Sequence, residues 1–341
     1  MAFQEKLLHW YDANQRKLPW RETSDPYHIW LSEIMLQQTQ VTTVIDYYLE
    51  FISKYNSFEQ LSKANEEDIL KLWEGLGYYS RARRLIPCAQ MVVKKFNGIF
   101  PKNYNQALTL PGVGPYTAGA ILSIAYNKKI AAVDGNVKRV YARLKALKID
   151  ISAYKSKAEM KAIVEKTLPE NCRDFNQALM ELGALICTPK NPKCKICPIQ
   201  EYCVAFKEDL QGELPIKLKK VKRKSKKIYV LTIKQDHDVL LIKRPNKGLL
   251  AGLWGFPIKE QSKVSNVHDY FKTLIKEKYD LDLIHTEFIQ KKKHVFTHLT
   301  WHMGHYELRV SNKKDIKNAL WLKAHELKDY AMPTAFKKLI Q

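Results

Sequence analysis

Four of the six cysteines lie in one short run, 187-CTPKNPKCKICPIQEYC-203, spaced C-x6-C-x2-C-x5-C. No other feature constrains the fold as tightly, because Cys187, Cys194, Cys197 and Cys203 must meet around something shared. In a reducing compartment that something is a metal centre rather than a set of disulfides. Zinc and an iron–sulfur cluster both accept four thiolates, and the spacing leaves both open. Prolines stiffen the loop, and Lys190, Lys193 and Lys195 surround it, which also suits a rigid DNA-docking knob. Cys88 and Cys172 stand outside the pattern and read as buried thiols.

The N-terminus, MAFQEKLLHWYDANQRKLPW, lacks the long apolar core of a secretory signal. The expected location is therefore inside the cell, cytoplasmic or nucleoid-associated if the source is bacterial. At 341 residues the chain exceeds one compact domain, so two are expected. Its 57 Lys and Arg against 35 Asp and Glu give a net charge of +22, which points to a polyanionic partner. Nucleic acid and an anionic membrane both qualify. No apolar run approaches the roughly 20 residues needed to cross a bilayer, so membrane insertion is not expected.

Residues 1–211 read as helical, with apolar positions recurring at three and four, as in Val137, Val140, Tyr141 and Leu144. Asp25-Pro26 reads as a helix cap followed by proline at the first helical position. Residues 212–227, GELPIKLKKVKRKSKK, carry eight basic residues and one acidic one. This stretch suits a solvated linker or a phosphate-contacting one equally well. From residue 228 to 341 the pattern changes. KKIYVLTIKQDHDVLLIKRP predicts a hairpin, 266–279 a helix, and HLTWHMGHYELRV a strand. The expected fold class is multidomain: an all-α domain joined by a basic tether to an α+β domain.

Two turns stand out in the helical part. LPGVG carries Gly112, Val113 and Gly114 just before an apolar helix. Glycines permit positive φ and a close backbone approach, so main-chain N–H groups there can face a phosphate at a helix N-terminus. Asp134 opens DGNVKRV and reads as an N-cap. Its capping bonds are expected to keep it ionised. Glu33, in WLSEIMLQQ, lies on a helix among Ile29, Trp30, Ile34 and Leu36. An apolar setting raises a carboxyl pKa and suits a general acid.

Taken together, LPGVG, VDGNVKRV and the four-cysteine loop resemble the helix-hairpin-helix DNA glycosylases that carry an iron–sulfur cluster. PWR, SEIMLQQTQV and the basic-linked C-terminal domain narrow the resemblance to the MutY family of adenine DNA glycosylases. That resemblance spans nearly the whole chain. It implies two helical lobes, a 4Fe–4S cluster on the four cysteines, and a C-terminal Nudix-like domain. Its expected partner is duplex DNA with adenine opposite 8-oxoguanine or guanine, bound by a monomer. Protein partners are not specified. RPNKGLLAGLWGFP is the closest Nudix-like stretch, but the paired Arg-Glu and Glu-Glu of a working Nudix box do not follow it, so no pyrophosphatase activity is expected.

The resemblance also implies residue roles. Glu33 corresponds to the acid that protonates adenine N7, and Asp134 to the carboxylate that stabilises the oxocarbenium ion. Asn136 corresponds to a residue that helps hold the attacking water. Where bifunctional relatives such as endonuclease III carry a Schiff-base lysine, this chain has Tyr116, which cannot form that adduct. Its hydroxyl is expected near Asp134. Gln38 and Tyr78 correspond to wedging residues that fill the gap left by a flipped base. Trp20, Arg21, Leu36 and Gln177 correspond to the adenine pocket, with Arg21 also on the DNA-binding surface. Phe296, Thr297 and His298 stand where the family has Phe-Ser-His for reading 8-oxoguanine. There the Thr297 hydroxyl is expected to be oriented by His298 or by the backbone. Rival readings are a bifunctional glycosylase/lyase, a catalytically inert lesion binder and a Nudix hydrolase.

Overall fold

A computed structural model describes residues 2–218, 223–261 and 264–340. Residues 219–222, inside the expected linker, lie outside the described residues. Contacts divide the chain into two compact units: Met1–Ala64 with Arg83–Lys220, and Asn65–Ala82 with Val221–Gln341. The C-terminal unit thus includes an 18-residue excursion from the helical part of the sequence.

The helices begin with α1 (Phe3–Asn14), α2 (Pro26–Leu36), α3 (Val41–Lys54) and α4 (Phe58–Ser62). Then come α5 (Glu66–Leu72), which belongs to the C-terminal unit, α6 (Ala82–Phe96) and α7 (Tyr104–Leu108). They continue with α8 (Pro115–Tyr126), α9 (Gly135–Leu144), α10 (Ser156–Glu165), α11 (Cys172–Leu185) and α12 (Val204–Lys207). Helix α2 starts where Asp25 accepts the Tyr27 N–H and Pro26 takes the first position. Nearly every side chain of α2 and α8 is buried, so both run through the core. Helix α9 shows one apolar face, and Val137, Val140, Tyr141 and Leu144 pack with Phe175, Leu179 and Leu182 of α11. A Cβ at Gly183 would lie 2.6 Å from Asn136 Cβ, so this glycine lets α11 lie against the start of α9. Cys88 and Cys172 are buried free thiols.

The C-terminal unit is built on seven strands: β1 (Lys224–Gln235), β2 (Asp238–Lys243), β3 (Trp254–Gly255), β4 (Ile258–Glu260), β5 (Leu283–Val295), β6 (Leu299–Val310) and β7 (Ala319–Lys323). They order as β3-β2-β1-β6-β5, with β4 beside β1 and β7 beside β2. Strand β1 alternates between two cores. Ile228 and Val230 meet Phe336 and Leu339 of α14 (Thr334–Ile340), and Tyr229 and Leu231 meet Phe271 and Ile275 of α13 (Val267–Tyr279). Burial on both faces explains its unbroken apolar run.

The expected hairpin exists, but only Lys234 and Gln235 of β1 pair with β2, at Val239 and Asp238. The main partner of β1 is β6, in parallel, over Lys224–Lys234. Strand β1 starts inside the stretch expected as linker, because Lys224, Ser225, Lys226 and Lys227 find ladder partners on β6.

Candidate active site

A cavity of about 480 Å³ opens within the helical unit. Glu33, Tyr116, Asp134, Asn136, Trp20, Arg21, Leu36, Gln38 and Gln177 all line it. The sequence scatters them over some 160 positions, and α2, α8, α9 and α11 bring them together. Glu33 is 6% exposed, held in the buried body of α2. Burial lifts its carboxyl to about 7, helped by the nearby Asp134 charge and opposed by the Tyr116 hydrogen bond and Arg21. The Tyr116 hydroxyl donates to Glu33 Oε2 at 2.6 Å. That corrects the expected placement beside Asp134. Tyr116 follows the first residue of α8, the helix packed along α2, so its hydroxyl reaches the α2 carboxyl.

Asp134 caps α9, as expected: Oδ1 accepts from Val137 N at 2.7 Å. Its Oδ2 accepts from Asn136 Nδ2 at 2.8 Å. Burial nevertheless outweighs these bonds, and its carboxyl lies above the ordinary carboxylate value. The expectation that capping alone sets this group low is corrected on that account. Asn136 Oδ1 accepts from Arg139 Nη2 at 2.8 Å, so the carboxamide is oriented from both ends and retains one N–H. The Arg139 guanidinium also reaches the carbonyls of Gly183 and Cys187, each at 2.7 Å.

Arg21, expected on the DNA-binding surface, is instead drawn inward. It forks onto Glu181 at 2.9 and 3.2 Å and reaches the Arg16 carbonyl. Glu181, 1% exposed, also takes two bonds from the Arg16 guanidinium, both 2.7 Å. Burial would raise this carboxyl, but hydrogen bonds from Arg16 and Arg21 hold it down at about 2. The sequence reading missed Glu181. Its signal was a charged residue between Leu179 and Leu182 on an apolar helix face. Trp20 is buried edge-on against Tyr48 at 5.3 Å and forms a cavity wall.

Cys187, Cys194, Cys197 and Cys203 line one small cavity beside Arg143. Among the described residues no group of three His, Cys, Asp or Glu side chains could hold a single metal ion. The thiols surround a space instead, which fits a polynuclear centre better than lone zinc with its bonds of about 2.3 Å. Arg143, 2% exposed, donates to Cys187 Sγ at 3.4 Å and to the Thr188 carbonyl at 2.7 Å. A buried cation suits a site that gathers four thiolates, and N–H donation to ligand sulfur is a normal feature of such centres.

A groove of about 1040 Å³ runs past the glycine turn. Gly112 sits at φ +84°, the left-handed region that favours glycine. Gly114 differs from expectation: it is an extended N-cap for α8, with open space where a Cβ would stand. No protein atom requires glycine there, which leaves an approaching ligand as the reason. The Val113 side chain is 6% exposed, so only its backbone faces the groove. Lys138, Lys157 and Lys161 line the same groove and were not singled out from the sequence. Spacing gave no hint that α10 stands there.

In the C-terminal unit, Phe296, Thr297 and His298 form the turn between β5 and β6. Phe296 packs on Trp301 at 4.9 Å, while Thr297 and His298 are exposed. Tyr78 belongs to this unit too, and its hydroxyl lies 2.6 Å from Thr297 Oγ1. That corrects the expected partner, His298 or the backbone. Gln38 stands in the helical unit with φ +60°.

Comparison with known proteins agrees with this geometry. Residues 31–169 match the family described as HhH-GPD superfamily base excision DNA repair protein. Residues 187–203 match the iron-sulfur binding domain of endonuclease III, and 228–341 match the NUDIX domain. The adenine DNA glycosylase of Buchnera aphidicola (subsp. Schizaphis graminum) is 34% identical, over all of this chain and 98% of that protein. That of Rattus norvegicus is 35% identical, over all of this chain and 77% of the rat protein. Among solved structures, a thermostable thymine-DNA glycosylase aligns with TM-score 0.54 and 33% identity, over 60% of this chain and 95% of that one.

Proposed function

We infer the mechanism from one premise: the chain belongs to the adenine DNA glycosylases, enzymes of base excision repair, which it matches along its whole length. It excises adenine from DNA by hydrolysing the N-glycosidic bond, and it carries a 4Fe–4S cluster. We propose that the adenine it removes is the one opposite 8-oxoguanine, and less readily the one opposite guanine.

The reading rests on one observation, the buried Glu33 carboxyl bound to Tyr116. A hydroxyl donated into Oε2 leaves Oε1 to carry the proton. A carboxyl poised near 7 is about half protonated at neutral pH, the range a general acid needs. Glu33 thus delivers a proton to adenine N7 as the glycosidic bond lengthens. Positive charge then grows on the sugar. Asp134, ionised in the working state and held at both oxygens, stabilises that charge from a fixed position. The remaining Asn136 N–H orients the attacking water. Tyr116 has no amine, so it forms no Schiff base and the strand stays intact. Trp20, Leu36 and Gln177 shape the adenine pocket, and the Gln177 amide matches the paired donor and acceptor on adenine. Arg16 and Arg21, neutralised by Glu181, serve as pocket walls rather than phosphate ligands.

The backbone at Gly112, Val113 and Gly114 receives a phosphate, with Lys138, Lys157 and Lys161 along the groove. Gln38 and Tyr78 wedge the helix open. Cys187, Cys194, Cys197 and Cys203 hold the cluster, which when bound ties the loop 187–203 into one rigid piece. We divide the chain into a catalytic domain at 1–211, a basic linker at 212–227 and a lesion-reading domain at 228–341. Every wall of the catalytic cavity comes from one unit of one chain, which supports action as a monomer. Single-turnover excision measured from pH 5 to 9 tests the acid. A rate that falls as pH rises through about 7 is expected, and a flat profile would remove Glu33 from that role.

A further inference from the structure

Three consecutive features fix the backbone that carries Tyr78. Gly75, Gly77 and Tyr78 are all left-handed, at φ +100°, +76° and +49°. A tyrosine holds that conformation only where its surroundings over-determine it. Here the Gly77 carbonyl takes bonds from Trp73 Nε1 at 3.0 Å and Arg81 Nη2 at 3.1 Å. The Arg81 guanidinium lies over the Tyr78 ring at 5.5 Å and the Trp73 ring at 5.2 Å. Gly75 N donates to the Tyr79 hydroxyl at 3.1 Å.

This loop is fastened to the C-terminal strands and α14. Glu74 accepts from Met332 N at 2.8 Å and pairs with Lys337 at 2.5 Å. Glu67 pairs with Lys243 at 2.6 Å, and Lys71 donates to the Lys328 carbonyl. The 296–298 turn is equally fixed along its backbone. Phe296 N donates to the Leu299 carbonyl at 2.7 Å, and the His298 carbonyl accepts from Lys224 N at 3.0 Å. With both backbones set, the torsion left free at the turn is the Thr297 side chain. The Tyr78 hydroxyl, 2.6 Å from Oγ1, takes up that last freedom.

We propose that the Tyr78 hydroxyl positions the Thr297 hydroxyl, so that the wedge loop and the lesion-reading turn act as one preassembled part of the C-terminal unit. The proposal rests on the reading above, in which Thr297 meets the purine edge opposite adenine. Tyr78 then has two jobs, its ring as wedge and its hydroxyl as the stop for Thr297. An oxygen already held in place meets the N7–H of 8-oxoguanine without first losing rotor freedom.

Tyr78→Phe keeps the ring and removes only the hydroxyl. Tyr78→Phe, Thr297→Val and the double variant are compared in the full-length protein. Affinity is measured on duplexes with a non-cleavable deoxyadenosine analogue opposite 8-oxoguanine or guanine. Each single change should weaken lesion binding about three- to tenfold, with a smaller change on guanine. The double variant should lose no more than the worse single one. Losses that multiply would overturn the proposal. Hydrogen exchange in the DNA-free proteins gives a second readout. Either substitution should speed exchange at both 75–81 and 295–299. Acceleration confined to the substituted loop would overturn the coupling. If exchange is coupled but Thr297→Val binds the lesion normally, the positioning stands and the assignment of Thr297 as lesion reader falls.

Discussion

Replacing Glu33 with Gln should make the protein more stable and nearly inactive at once. Burial holds the Glu33 carboxyl at about 7 in the folded chain against an ordinary 4.5. Between those values the unfolded chain is ionised while the folded chain keeps its proton. The unfolded state binds fewer protons there, so stability falls as pH rises from about 4.5 to 7. The gap between the two values corresponds to ~3 kcal/mol, lost in full only above pH 7. Glutamine carries no charge to bury, and its amide oxygen can still accept the Tyr116 hydroxyl. At pH 8 the variant should therefore be more stable than the wild type by ~1–3 kcal/mol, the lower end allowing for the buried amide. At pH 4.5 the difference should vanish. Excision should fall by about 10² to 10⁴ at neutral pH, the usual worth of a general acid. Guanidinium unfolding at the two pH values and single-turnover excision measure both effects. A stability difference independent of pH, or a variant less stable at pH 8, would refute the burial argument. Wild-type excision by the variant would refute the acid.

Glu181→Gln should cost about 3 kcal/mol in unfolding free energy, because it leaves Arg16 and Arg21 without the buried charge they share. In the wild type that contribution is complete above about pH 4.5 and is lost as pH falls toward 2, which an acid titration of stability would show. Cys197→Ser should lower iron and sulfide content, the visible colour and DNA affinity together, and metal analysis finding zinc alone would reject the cluster. Borohydride should trap little or no protein–DNA adduct, whereas efficient trapping would contradict the reading of Tyr116.

Chemistry set by local pattern was legible in the sequence, and chemistry set by packing was not. The Asp25 and Asp134 caps follow from residue type and position, and both form. The apolar neighbours of Glu33 already implied its burial. Motif spacing drew Glu33, Tyr116, Asp134 and Asn136 onto one list, but not the contacts within it. The Tyr116 bond to Glu33 depends on how α8 packs against α2, which neither stretch encodes alone. Glu181 was missed because its partners lie about 160 positions away in sequence. Strand β5 was missed because LIHTEFIQKKKHV is largely polar, as an edge strand exposed on one side is free to be. The membership of 65–82 in the C-terminal unit rests on Glu67, Lys71, Glu74 and Tyr78, each ordinary in its local context.

The central claim is that this pocket removes adenine opposite 8-oxoguanine by hydrolysis and leaves the strand whole. Purified protein incubated with duplexes carrying adenine opposite 8-oxoguanine, guanine, cytosine or thymine, resolved with and without alkali, tests it in one gel. The account predicts breaks only after alkali, fastest opposite 8-oxoguanine, slower opposite guanine and slowest opposite the pyrimidines. Direct nicking without alkali, or equal rates opposite 8-oxoguanine and cytosine, would contradict it.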